Sequence, residues 1–296
     1  MNGILCINKP VEYTSFDVVA RIRGMSKTSK VGHSGTLDPM ATGVLPVFLG
    51  AATKAIGVLP NENKKYIATF RLGEMTDTLD AFGKLLKKQE SHASSADIFS
   101  LLPCFRGEIE QLPPMYSAVR LNGQRLYDIA RQGREVERQP RWVTVHSLEL
   151  LSFDEVSQEG KLEICCSKGT YVRTIISDIG ERLGVGGIMT GLLRTEASGF
   201  TLADSVTLEE AQDLTAGGQL EKKLLAVDRL FFHLPRIRLN EVQAVKFKNG
   251  VRLNLNRVNH KEVDGFQRVY GPEGDFLALA SLDHTDESLR IEKTFF

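Results

Sequence analysis

The chain has 296 residues, 42% hydrophobic and 25% charged, the composition of an ordinary globular protein long enough to bury a sizeable core as one or two domains. Its 37 basic and 37 acidic side chains leave a formal net charge of zero, which argues against a general polyanion binder but not against a local basic surface. Four cysteines without CxxC or zinc spacing predict buried thiols and no metal; the lack of a signal peptide or long apolar run predicts a cytoplasmic protein with no membrane partner.

Ile4 to Ile7 predicts a short apolar strand, ending in Asn8-Lys9-Pro10. Thr14 then caps a helix, with Asp17 three residues on, apolar Val18, Val19 and Ile22 on one face, and Gly24 as its expected end. Residues 30 to 43 are rich in Gly, Pro, Ser and Thr and predict a loop, followed by a buried strand from Val44 to Leu49. Tyr66 to Leu72 alternates as a strand does, residues 73 to 83 form a loop, and residues 98 to 102 a short helical segment. Residues 120 to 141 hold six arginines against three acids. Strands are predicted over Val143 to Phe153 and Leu162 to Ser167, and a helix from Thr170 to Leu183, where Val172, Ile175, Ile176 and Ile179 recur at helical spacing. Thr207 and Glu210 form a further capping box. Beyond about Phe232 the texture changes to short strands with turn residues, and residues 236 to 257 carry six basic side chains and one acid. Without a regular βαβ alternation, the chain reads as α+β with a largely antiparallel mixed sheet flanked by helices, plus a small all-β tail.

Chemistry concentrates in Lys30 to Leu49, KVGHSGTLDPMATGVLPVFL. Gly32, Gly35 and Gly43 permit turns that other residues resist. Pro39 holds the preceding Asp38 in extended geometry, which suits a carboxylate at a loop apex and equally suits an Asp that closes a turn. By themselves Tyr66 reads as a strand-core residue, Arg173 as a surface residue at a helix start, Leu192 as core, His33 as a turn residue, and the arginine run as a solvated face.

The segment GHSGTLDPMATGVLPV closely resembles the motif around the catalytic Asp of the TruB family of tRNA pseudouridine synthases. Further resemblances follow in the family's order: Lys64-Lys65-Tyr66 with Arg71-Leu72-Gly73, Thr76-Asp77-Thr78-Leu79-Asp80, Gln111 to Val119, Gly169 to Thr174, and Leu193-Arg194-Thr195 with Gly199-Phe200. They cover about residues 1 to 210, and the tail is similar, more weakly, to the PUA domain found on RNA-modifying enzymes. One departure is clear: Glu12 stands where the family's Lys-Pro-x-Gly-x-Thr-Ser has glycine.

The resemblance implies a pseudouridine synthase catalytic domain over residues 1–230, with an arginine-rich insertion at about 117–141, and a PUA-like RNA-binding domain over 231–296. It implies isomerisation of the T-loop uridine of tRNA, position 55, on a nucleotide flipped out of its stack. Asp38 is then the catalytic carboxylate, as nucleophile or base, and Arg173 the cation that keeps it charged. Tyr66 packs against the extruded ring, and Leu192, in preference to Leu193, covers its other face. His33 helps hold the opened loop, and Lys9, Arg120, Arg125 and Arg131 contact RNA. The reaction changes no oxidation state and loses no group, so no cofactor is expected; the partner is the tRNA T stem-loop and the protein is expected to be monomeric. Two alternatives stand beside this reading. A non-catalytic RNA-binding tRNA-folding factor explains the tail but not the joint presence of Asp38, Tyr66 and Arg173. A glycoside hydrolase needs a second carboxyl, for which Asp77 or Asp80 is available.

Overall fold

The computed structural model describes all residues, 1–296, and divides them into two compact units: Met1–Leu37, Val44–Asn61 and Ser198–Phe296 form one, Asp38–Gly43 and Glu62–Ala197 the other.

In the second unit the alternating strand Lys64–Leu72 buries Tyr66, Ala68, Phe70 and Leu72 and lies between Glu159–Cys166 and Gly187–Ala197, antiparallel to both. Arg141–Asp154 and then Gly107–Gln111 extend the sheet, again antiparallel. On the opposite side Thr42 and Gly43 run parallel to Leu193 and Arg194, so the sheet is mixed. The helix Val172–Arg182 buries Val172, Ile175, Ile176 and Ile179. A small hairpin pairs Glu74–Thr76 with Leu85–Lys88. A second pairs Arg120–Leu121 with Gln124–Arg125, inside the arginine-rich insertion.

In the first unit Gly3–Lys9 pairs in parallel with Ser205–Val206, and the end of the strand Thr42–Leu49 pairs antiparallel with Val31–His33. Thr14 and Asp17 close a reciprocal capping box on the helix Ser15–Ser26. That helix buries Val18, Val19 and Ile22 in a core with Leu5, Ile7, Leu45 and Val47. It runs past Gly24 and ends at Lys27, which takes a left-handed conformation (φ 50°). A glycine inside a helix costs only about 1 kcal/mol, and the apolar face outweighs it. The loop expected over residues 30 to 43 likewise contains the short strand Val31–His33.

The tail forms a five-stranded sheet ordered Arg236–Arg238, Gln267–Tyr270, Phe276–Asp283, Ser288–Thr294, Leu253–Asn254. An eight-residue helix, Glu241–Lys248, interrupts the strands of this tail; it places Ala244 and Phe247 in that sheet's core and leaves Val242 and Val245 exposed. Its apolar residues therefore lack a single helical stripe. Cys6 and Cys166 are buried and burial raises their thiol pKa values, the latter to about 11, whereas Cys104 is exposed. No helix is long and apolar enough to cross a membrane.

Candidate active site

Asp38 lies just ahead of a tight turn in which Ala41 N–H donates to the Asp38 carbonyl at 3.0 Å, with Pro39 following Asp38. The turn is thus closed by the backbone of Asp38 and not by its carboxylate. Gly43 docks this loop on the neighbouring strand: its φ is 104°, and a Cβ there would lie 2.1 Å from the carbonyl oxygen of Arg194. Only glycine permits that approach.

The Asp38 carboxylate meets Arg173, whose Nε lies 3.0 Å from Asp38 Oδ2. Arg173 is 5% exposed and Asp38 37%, so the cation is sealed while the carboxylate is partly exposed. The rest of the guanidinium is fixed. Nη1 donates to the Thr78 carbonyl at 2.8 Å and lies 3.6 Å from Asp80 Oδ2; Nη2 donates to the Tyr116 carbonyl at 2.9 Å. A planar fork held on three sides presents its remaining edge in one direction. The helix Val172–Arg182 sets the height of Arg173. Its entry is clamped by Gln111, which accepts from Tyr171 N–H at 2.7 Å and donates to the Tyr171 carbonyl at 3.0 Å.

Asp80 is the residue that reading by motif undervalued. It is buried, its Oδ1 accepts from Thr78 Oγ1 at 2.6 Å and from Phe82 N–H at 3.1 Å, and it belongs to a turn in which Leu79 takes φ 63°. Its second oxygen faces Arg173. It thus serves the same guanidinium as Asp38, as a brace. The paired carboxyls of a hydrolase instead flank the scissile bond, with no shared cation required between them.

Tyr66 is buried, directly opposite Arg194 in the antiparallel register, and their side chains are hydrogen-bonded. Burial raises the Tyr66 pKa above its ordinary value, so the phenol stays neutral. Arg194 is fully buried, unusual enough for an arginine to mark a polar site. In the sequence Arg194 stands only as a member of the motif Leu193-Arg194-Thr195; its partner lies on another strand. Alternation along that strand puts Leu192, opposite Ala68, on the face that carries Tyr66 and Arg194, and Leu193 on the reverse face.

The expected RNA contacts are placed unequally. Arg120, Arg125 and Arg131 are exposed in the insertion, and Arg131 lies 5.2 Å over the Tyr127 ring. Tyr127 in turn meets Tyr116 edge-on at 6.2 Å, which ties the insertion to the residue whose carbonyl holds Arg173. His33 sits at the end of the strand Val31–His33, half-buried. Lys9 corrects the expectation: it is fully buried, and its ammonium donates to the Pro10 carbonyl at 2.8 Å and to the Tyr13 carbonyl at 2.6 Å. It fixes the turn after the first strand and offers phosphate no surface. Glu12, within that turn, keeps a left-handed backbone with φ 67°. A cavity of about 420 Å³ in the first unit is lined by Phe200, Arg229, Leu230 and His233 among others and includes none of Asp38, Tyr66, Asp80, Arg173 and Arg194.

Comparison with known proteins gives a consistent pattern. Residues 23–172 match the profile of the TruB family pseudouridylate synthase N-terminal domain. Residues 173–231 match that of the tRNA pseudouridylate synthase B C-terminal domain. The chain is 42% identical over 296 residues to the tRNA pseudouridine synthase B of Clostridium perfringens strain 13, covering 99% of this chain and 98% of the relative. It is 43% identical over 285 residues to that of Geobacillus thermodenitrificans, covering 94% of each. Among solved structures it is similar to a chain of a Cbf5-Nop10-Gar1 complex, with a TM-score of 0.74 and 25% identity over 99% of this chain and 85% of the other.

Proposed function

The chain belongs to the TruB family of pseudouridylate synthases, and from that membership we propose that it isomerises the T-loop uridine of tRNA, position 55, with Asp38 as catalytic carboxylate. The observation that carries this reading is the 3.0 Å pair between Asp38 and the sealed Arg173. An opposite charge at that distance favours the ionised carboxylate, the form needed by a nucleophile or base.

In the reaction the N1–C1′ bond breaks, uracil turns, and a C5–C1′ bond forms. The hydrogen on C5 leaves as a proton and N1 regains one, so atoms and electrons balance within substrate and solvent. The uridine must first leave its stack, at a cost of a few kcal/mol. Tyr66 offers its ring to one face of the extruded base, with its phenol tethered by Arg194. Leu192 covers the other face from the same side of the sheet. The exposed Arg120, Arg125 and Arg131 contact the phosphates that hold the T stem-loop. His33 steadies the opened loop, and the tail, with its basic segment 236 to 257, adds a PUA-like RNA surface. The protein acts as a monomer in the cytoplasm.

The test is an unmodified tRNA transcript incubated with the protein, followed by carbodiimide primer-stop mapping and by tritium release from 5-labelled uridine. Wild type gives one stop, at the T-loop uridine, and releases tritium. Asp38→Asn binds the transcript but releases none. Tritium release by the Asn variant, or binding without any product by wild type, refutes the assignment; the latter outcome is that of a tRNA-folding factor.

A further inference from the structure

The hairpin that carries Asp80 ends in a feature the proposed reaction does not use. Phe82 sits on the connecting turn and is 76% exposed. The segment Phe82 to Lys88, FGKLLKK, holds three lysines and no acid. Lys84, Lys87 and Lys88 are exposed, and Lys88 pairs with Glu74 at 3.0 Å, which leaves Lys84 and Lys87 as its outward charges. A ring so exposed gains nothing for folding.

The turn that presents it is rigid. Phe82 N–H donates to Asp80 Oδ1 at 3.1 Å, and Lys84 N–H donates to Asp77 Oδ1 at 2.7 Å. A Cβ at Gly83 would lie 2.2 Å from Thr78 Oγ1. The same Asp80 faces Arg173 with its other oxygen, and Arg173 holds Asp38. Phe82 is therefore one carboxylate and one guanidinium away from the catalytic oxygen. Successive nucleotides rise about 3.4 Å apart along a strand, so a few nucleotides span the path from Asp38 through Arg173 and Asp80 to this turn.

We infer that the hairpin Glu74–Lys88 is an RNA contact in which Phe82 stacks on an unpaired base flanking the target uridine while Lys84 and Lys87 meet the adjoining phosphates. An aromatic platform beside basic side chains is the chemistry that holds single-stranded nucleic acid irrespective of sequence. The inference rests on the proposed function, since it needs a nucleotide at Asp38.

The test is equilibrium binding of a T-arm stem-loop RNA to the full chain, with a thermal melt as a control for folding. Phe82→Ala raises Kd by about tenfold, the usual order for one lost stack, and Phe82→Tyr restores wild-type affinity. The double variant Lys84→Ala/Lys87→Ala lowers the slope of log K against log salt by about 1.4. Equal affinity of wild type and Phe82→Ala, failure of Phe82→Tyr to rescue, or an unchanged salt slope overturns the inference. A wild-type protein that binds but forms no pseudouridine counts against the proposed function, so the two failures are read on different signals.

Discussion

Arg173 spends every nitrogen of its guanidinium on a named partner: Nε on Asp38, Nη1 on Thr78 and Asp80, Nη2 on Tyr116. Lysine keeps the charge but not the fork. Arg173→Lys should lower kcat by about 100-fold, the order seen when one preorganised donor is lost. It should also cost about 1–3 kcal/mol of stability, because a buried carbonyl is left without its donor. Single-turnover kinetics and urea denaturation measure the two effects, and unchanged kcat would remove Arg173 from the site. Glu12 makes the opposite case. It takes a left-handed backbone that a glycine would adopt freely, at a cost of about 1 kcal/mol. Glu12→Gly should raise Tm by about 2–4 °C in a circular-dichroism melt; a lower Tm would mean that the Glu12 side chain earns its place through contacts.

At the scale of elements, period decides role. On the strand Gly187–Ala197, Leu192 shares a face with Tyr66 and Leu193 does not. Leu192→Ala should therefore lower kcat/KM by about tenfold, equivalent to ~1.4 kcal/mol of transition-state binding, whereas Leu193→Ala should affect stability alone. Equal kinetic losses in both would contradict the register. Local patterns were legible wherever one segment contains its own cause. The Thr14 and Thr207 caps, the alternation around Tyr66 and the apolar stripe after Tyr171 all appear as expected. What the sequence left hidden depends on distant pairing. Asp80 is a motif member, or a second carboxyl for a hydrolase, until Arg173 comes beside it. Arg194 is only a member of a motif until register sets it against Tyr66. Lys9 reads as a phosphate contact until the turn after it supplies two carbonyls. The helix Glu241–Lys248 has no legible apolar stripe because two of its apolar side chains, Val242 and Val245, face outward.

Across the whole molecule, zero net charge coexists with strongly basic segments at 84–88, 120–141 and 236–257. Affinity for RNA then depends on where charge lies, and should fall steeply with salt despite the neutral total. The two ends of the chain also meet. Asn2 Nδ2 donates to the Phe295 carbonyl at 3.1 Å, and Lys54 Nζ donates to Thr294 Oγ1 at 2.9 Å. The Phe295 ring is 3% exposed and stacks on Phe276, with Phe231 beside it. Phe295→Ala should cost about 3–5 kcal/mol in urea denaturation, as a large aromatic lost from a core does; a loss below 1 kcal/mol would show that this end is only loosely attached. The same closure has a consequence during synthesis. Residues 62–197 are contiguous and can settle while translation continues, but the bond from Asn2 to Phe295 must wait until residue 295 has cleared the ribosome. At the fastest elongation rates that interval is on the order of ten seconds, during which the amino-terminal strand has its neighbours up to Leu49 but not the carboxy-terminal tether.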